Sequence, residues 1–275
     1  MTNNTVQIGS LEVSRLIVGG NPFSGISHQS PQRDLEMMRY YTSARVQETL
    51  REAENVGVNT FLGRADRYIM RLLLEYRQAG GGIQWFAQTC SEYGAIDRSV
   101  QHARMADAQA CYIHGGVMDR LLAQNQLAEV PALITEIRNA GLVVGIAGHN
   151  PAVFEWAEEH IDVDFYMCSY YNPSRRDEHA EHRSEAIECF ADEDRQLMVR
   201  VIAQLGKPAI HYKIMAAGRN NPEDAFAFVA QHLRPKDAVC VGVFTQENSS
   251  MLADDLELVQ QSLRTAGVCE QSGRQ

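Results

Sequence analysis

The feature that most constrains this chain is a beat that repeats eight times: a short apolar run, a polar or glycine-rich exit, then a stretch of helical character. The runs are Leu16 to Val18, Val58 to Leu62, Ile83 to Ala87, Ala110 to Ile113, Leu142 to Ala147, Val163 to Cys168, Pro208 to Tyr212 and Ala238 to Val241. Continuous apolar runs this short mark strands buried on both faces, the signature of a parallel sheet. Parallel neighbours need a crossover between them, and the helical stretches supply it. They are Val46 to Glu54, Ile69 to Tyr76, Ser99 to Ala106, Leu127 to Asn139, Ala152 to His160, Glu185 to Leu205, Pro222 to Leu233 and Gln246 to Arg264. Ahead of the first strand, Gln7 to Val13 reads as a hairpin around Gly9-Ser10; after that strand, a polar loop runs through His28 to Arg33. Eight βα units in 275 residues predict an α/β fold, a (β/α)8 TIM barrel spanning residues 1–275 as one domain. The hairpin occupies about residues 6–14, and residues 266–275 form a loose tail. An open doubly wound sheet is the alternative, but no Gly-x-Gly-x-x-Gly follows any strand.

A barrel keeps its chemistry at the carboxyl ends of its strands. The exits gather Asn21; Arg64, Asp66 and Tyr68; Cys90 and Glu92; His114; His149 and Asn150; Tyr170; and Tyr212 with Lys213. His114 closes the run Ala110-Cys111-Tyr112-Ile113, and the bland account of it is a hydrogen-bonded core histidine. Residues 174–184 read as an exposed polar loop over the site. The net charge of -10 argues against a nucleic-acid surface, which needs clustered lysine and arginine. No apolar run approaches the ~18 residues of a membrane span. The start shows no basic segment followed by an apolar core. Six scattered cysteines without Cys-x-x-Cys suit reduced thiols. The expectation is a cytoplasmic protein with a small-molecule substrate, no nucleic-acid or membrane partner, and room for a homo-oligomer.

Several chemistries fit the exits. Cys90, His114 and His149 leave three neighbouring strands, and a thiolate with two imidazoles could hold a divalent transition metal. His211 could join them, but it alternates with Tyr212 and so faces the other way along its strand. A Cys90–His114 nucleophile pair is a second option. Lys213 could form a Schiff base or move a proton if buried. Arg64 and Asp66 could bind a carboxylate or sugar-like hydroxyls, with exposed ion pairing as the plain alternative.

The exits also resemble those of the aldo-keto reductases over about residues 6–262. Gly19-Gly20-Asn21-Pro22-Phe23, Ala65-Asp66-x-Tyr68, Ile146-Ala147-Gly148-His149-Asn150, Tyr171-Asn172-Pro173, Tyr212 with Gly218, and Leu252 to Leu256 occur in that family's order. The resemblance implies a barrel with an N-terminal hairpin that transfers hydride from NADPH to a carbonyl through an Asp, Tyr, Lys, His tetrad. Tyr68 and His114 match the tetrad, but Gly63 stands at the Asp position and Cys90 at the Lys position. Without that lysine nothing depresses the phenol from its ordinary ~10. The cofactor contacts implied by the family are largely absent. Asn150 and the stacking Tyr212 remain, while Met167 or Cys168 replaces a glutamine, His149 replaces a serine, and residues 245–250 lack the basic groups that hold a 2′-phosphate.

Three functions therefore stand open. The first is non-redox acid–base chemistry, as a lyase, isomerase or hydrolase, on a small polar carbonyl- or sugar-like substrate. Its proton transfers would come from His114, Tyr68, His149 or Lys213, with Cys90 as a further candidate and Asn21, Arg64, Asp66, Asn150, Tyr170 and Tyr212 contacting substrate or cofactor. The second is an NAD(P)H-dependent oxidoreductase that reduces a carbonyl. The third is an inactive binding or regulatory barrel.

Overall fold

A computed structural model describes residues 4–173 and 188–265. Two antiparallel strands, β1 (Thr5–Ile8) and β2 (Leu11–Ser14), pair as a hairpin, with Gly9 at the turn in the left-handed region, φ +55°. Eight parallel strands then close a barrel in the order β10-β3-β4-β5-β6-β7-β8-β9. They are β3 (Leu16–Gly19), β4 (Thr60–Arg64), β5 (Gln84–Gln88), β6 (Ala110–Ile113), β7 (Val143–Gly148), β8 (Phe165–Ser169), β9 (Ala209–Tyr212) and β10 (Ala238–Gly242). All eight expected strands are present in the expected order.

Strand alternation sorts the side chains into two layers. Ile17, Leu62, Phe86, Tyr112, Met167, Ile210 and Cys240 point into the barrel. Val6, Ile8 and Val13 of the hairpin join this inner cluster and fill the amino-terminal end. The intervening residues, such as Phe61, Trp85, Cys111, Tyr166 and Cys168, pack against the helices outside.

Those helices are α1 (Pro31–Tyr40), α2 (Ser43–Asn55), α3 (Arg67–Gln78), α4 (Asp97–Met105), α5 (Gly115–Ala123), α6 (Val130–Asn139), α7 (Pro151–His160), α8 (Asp192–Ile202), α9 (Pro222–His232) and α10 (Met251–Thr265). Three differ from the sequence reading. The stretch read as helical from Glu185 becomes helix only at Asp192, residues 188–191 being non-helical. The expected loop through Arg33 is helical from Pro31, with Ser30 accepting the Arg33 N–H as its cap. The pair Gly115-Gly116, which follows His114 at the exit of the Ala110 to Ile113 run, opens α5. A Cβ on Gly115 would lie 3.0 Å from the His149 ring, so glycine lets that imidazole sit against the start of the helix. The expected loop over residues 174–184 and the tail over 266–275 lie outside the described residues. No described helix is long and apolar enough to cross a membrane, and the described cysteines are free thiols.

Candidate functional site

A cavity of about 380 Å³ opens at the carboxyl ends of the strands. Leu62, Tyr112, Met167 and Cys240 are among its inner lining, and Asn21, His28, Gln88, Tyr212 and Lys213 bring polar groups into it. Tyr112 donates to Gln88 Oε1 at 2.8 Å, which directs the Gln88 amide NH₂ away from that contact as a donor.

Two chains of hydrogen bonds meet this cavity. In the first, Asp119 of α5 holds the turn after β7. Its Oδ1 accepts the backbone N–H groups of His149 (3.0 Å) and Asn150 (3.2 Å), and Oδ2 lies 2.6 Å from His149 Nδ1. The far nitrogen, Nε2, lies 3.3 Å from the Tyr212 hydroxyl. A carboxylate at Nδ1 requires the proton there, so Nε2 accepts from the phenol. Burial, with the Asp119 charge adding to it, pushes the Tyr212 phenol well above its ordinary value.

In the second chain, Glu188 Oε1 meets His28 Nδ1 at 2.9 Å, and Lys213 Nζ lies 3.2 Å from His28 Nε2. The Asn21 amide nitrogen also approaches that Nε2, at 3.3 Å. Two donors on Nε2 fix it as the acceptor and place the imidazole proton on Nδ1, toward Glu188. Burial lowers the Lys213 ammonium to about 8, against the opposing pull of the Glu188 and Asp119 charges. Burial, then the Lys213 charge, lowers His28. Burial alone would raise Glu188, but its bond to His28 and the charges of His28, Lys213 and His149 together hold the carboxyl below its ordinary value.

The backbone places Lys213 by an unfavourable conformation. Adjacent residues of a strand face opposite ways, yet Tyr212 and Lys213 both line the cavity. The left-handed φ of +59° at Lys213 breaks the alternation, and His28, its contact, is left-handed too at +57°. Each such residue costs about 1–2 kcal/mol. The loops that carry the pair are tied together: Gln29 Nε2 donates to Ala217 O at 2.7 Å, and Arg219 Nη2 donates to His28 O at 3.2 Å.

The structure distributes the sequence candidates unevenly. Asn21, Tyr212 and Lys213 line the cavity, and His149 reaches it through Tyr212. Tyr68 stands on the first turn of α3, 41% exposed, and does not line the cavity. His114 caps α5, its Nδ1 accepting the Gly116 N–H at 3.1 Å. Asp66 caps α3 through Ile69 and receives Arg64 Nε at 3.1 Å, while Arg64 also pairs with Glu92. Asn150 caps α7 through Ala152. Tyr170 faces outward, its hydroxyl 2.9 Å from His211 Nδ1 in the layer between barrel and helices. His211 Nε2 in turn lies 3.3 Å from Asp237, whose carboxylate also takes Arg234 Nε at 2.7 Å and the Ala209 N–H at 2.8 Å.

The expected Cys90–His114–His149 metal set is corrected: among the described residues no group of three His, Cys, Asp or Glu is placed to hold a metal ion. His114 turns to its own helix and His149 to Asp119. Cys90 is buried away from the cavity lining, and burial raises its thiol, which weakens it both as ligand and as nucleophile. The reductase tetrad is likewise not assembled. A Cβ at Gly63, the Asp position, would come within 2.3 Å of the Phe61 ring, so no carboxylate has room there. The outer wall offers no free cation to a 2′-phosphate among the residues described there. Beyond β10 the cavity meets Glu247 and Asp255, and Arg33, the nearby cation, is already paired with Glu247 and Glu36. Sequence reasoning missed Asp119, His28 and Glu188. The one available signal was a histidine in a polar loop just after the first strand.

No family model matches the chain, and no curated protein matches it in sequence. Solved structures do match its fold. A Pseudomonas aeruginosa protein described as an aldo-keto reductase is 18% identical over 95% of this chain and 98% of its own, with a TM-score of 0.62. An aldo-keto reductase from Bacillus halodurans is 11% identical over 96% of both chains, with a TM-score of 0.61. A truncated 3-deoxy-D-arabino-heptulosonate 7-phosphate synthase from Thermotoga maritima is 14% identical over 97% of this chain and 93% of its own, with a TM-score of 0.55. The chain therefore has an aldo-keto reductase-like TIM barrel with an N-terminal hairpin, a fold it shares with enzymes named for quite different chemistry.

Proposed function

We propose that the barrel performs acid–base chemistry on a small polar, carbonyl- or sugar-like compound, as a lyase or isomerase. The observation that carries this reading is the pairing of Lys213 with His28 and Glu188 at a cavity whose wall also holds Tyr212, backed by His149 and Asp119. Both chains run from a buried or half-buried carboxylate through an imidazole to a protic group at the cavity. That order is suited to moving a proton at the cavity without leaving a bare charge behind. Lys213 is lowered to about 8 by burial, which brings it within reach of both taking and returning a proton, and burial lowers His28 as well. Gln88 and Asn21 supply donors for a carbonyl or hydroxyl oxygen.

Deuterium exchange tests the reading. Wild-type protein is incubated in D₂O with dihydroxyacetone, glyceraldehyde and a panel of aldoses and ketoses, and carbon-bound hydrogen is followed by NMR. Incorporation next to the carbonyl, or cleavage of the adjacent carbon–carbon bond, is expected without added nucleotide. NADPH-dependent loss of the carbonyl with no exchange would favour reduction instead, as the fold neighbours named reductases would have it.

A further inference from the structure

We propose that Lys213 is a covalent nucleophile that binds the substrate carbonyl as an imine. This deepens the acid–base reading and rests on it. The chain is poor in lysine: it has Lys207, Lys213 and Lys236 and no other. Lys207 is exposed and paired with Asp162, and Lys236 donates to the carbonyls of Leu205 and Gly206. Lys213 alone of the three faces the cavity.

A lysine kept inside a protein for structure is ordinarily paired with a carboxylate. Among the described residues, Lys213 Nζ is instead bonded to a neutral imidazole nitrogen, with the carboxylate one residue further on. That arrangement takes a proton from the ammonium rather than pinning it. His28 Nε2 can accept the proton while Glu188 stabilises the resulting imidazolium through Nδ1–H. The left-handed backbone at both Lys213 and His28 shows that the contact is held at a conformational cost, as strained functional groups often are.

The step balances without an outside reagent. The Lys213 ammonium gives one proton to His28, and the freed nitrogen lone pair attacks the carbonyl carbon. A C–N bond forms as the C=O π pair moves onto oxygen, which takes a proton back from His28. The carbinolamine nitrogen, still carrying its extra proton, gives it to His28, which passes it to the hydroxyl; the hydroxyl leaves as water as the freed nitrogen lone pair makes the C=N bond. Ammonium plus carbonyl thus becomes iminium plus water. The iminium is an electron sink for loss of a neighbouring proton or for cleavage of a carbon–carbon bond. The Tyr212–His149–Asp119 chain at the same cavity can move the released proton.

Borohydride trapping tests it. Wild-type protein is reduced with sodium borohydride in the presence of dihydroxyacetone, and the product is read by intact mass and peptide mapping. One reduced adduct on the Lys213 peptide is expected, absent from Lys213→Arg and, should that variant not fold, from Lys213→Met. Trapping should rise with pH around the Lys213 value of about 8, where Glu188, Asp119, Arg219 and His28 are the groups that act on it. His28→Gln, which keeps a hydrogen-bonding side chain without a proton acceptor of the same basicity, should slow trapping at pH 7 by tenfold or more. Deuterium exchange with no adduct, or an adduct confined to Lys207 and Lys236, overturns the imine and leaves the acid–base reading standing. An adduct on Lys213 without exchange or cleavage keeps the imine and overturns that reading. Loss of both overturns both.

Discussion

Two Asp–His–Tyr chains lie back to back on β9. Asp119–His149–Tyr212 opens onto the cavity, whereas Asp237–His211–Tyr170 is sealed between the barrel and its helices. Tyr212 and His211 are neighbours in sequence, and only the pleat separates them. The sealed chain is saturated, because Asp237 also receives Arg234 and two backbone N–H groups. The cavity chain is braced at Asp119 and ends on a phenol at the cavity. The same three residue types thus make a staple on one face and a proton path on the other. The face of the strand separates the two roles, and residue identity does not.

Substitution should separate the two chains, beginning with the largest effect. His149→Ala is expected to lower exchange or cleavage by about 10²–10⁴-fold, the usual weight of a general acid or base. Its melting temperature should change little, since water from the cavity can take the place of the ring. On the sealed side, Asp237→Ala leaves Arg234 and His211 without their carboxylate in a dry layer. It should cost about 3–5 kcal/mol in denaturant unfolding. A cavity chain that proves equally costly to break would remove the distinction.

The tyrosines give a finer test. Tyr170→Phe removes a fully buried partner of His211 and should cost about 1–3 kcal/mol of stability with turnover kept. Tyr212→Phe should show the reverse, a loss of turnover at nearly unchanged stability.

Two buried carboxyls supply the smallest contrast. Burial pushes Asp237 up, but the His211 and Arg234 bonds hold it below its ordinary value. Its stabilising effect is therefore present above the unfolded value and lost as pH falls. Asp255 is raised to about 7, by burial and then by Asp254. Its folded form keeps a proton that the unfolded form gives up from 3.8 upward, so stability drops as pH climbs through that window and the loss is complete above about 7. Asp255→Asn should match wild type near pH 4 and exceed it at pH 8, by on the order of 1 kcal/mol because the carboxyl borders the cavity. Parallel pH-dependent melting curves for the two proteins would refute this.

The barrel was legible because each parallel strand is buried on both faces and so reads as an uninterrupted apolar run. The helix α1 was not, because its exposed face is polar and begins within a loop-like stretch. The helix α5 was hidden by Gly115-Gly116, which disfavours a helix by propensity but is needed for the approach of His149. Strand ends pointed directly to Asn21, His149, Tyr212 and Lys213. Alternation from Phe165 and Met167 inward could have placed Tyr170 outside. The partners that give those groups their character come from far along the chain. Asp119 lies 30 residues from His149, and His28 lies 160 from Glu188 and 185 from Lys213. No local pattern announces such pairs.

The hairpin of β1 and β2 has a consequence for traffic. Val6, Ile8 and Val13 stopper one end of the barrel, so among the described residues the cavity opens at the other end. Whatever enters must back out past Lys213 and His28, the same groups it met on arrival. A compound lodged in the doorway would thus imprison anything beneath it, and two products from one cleavage would leave in single file, the outer before the inner.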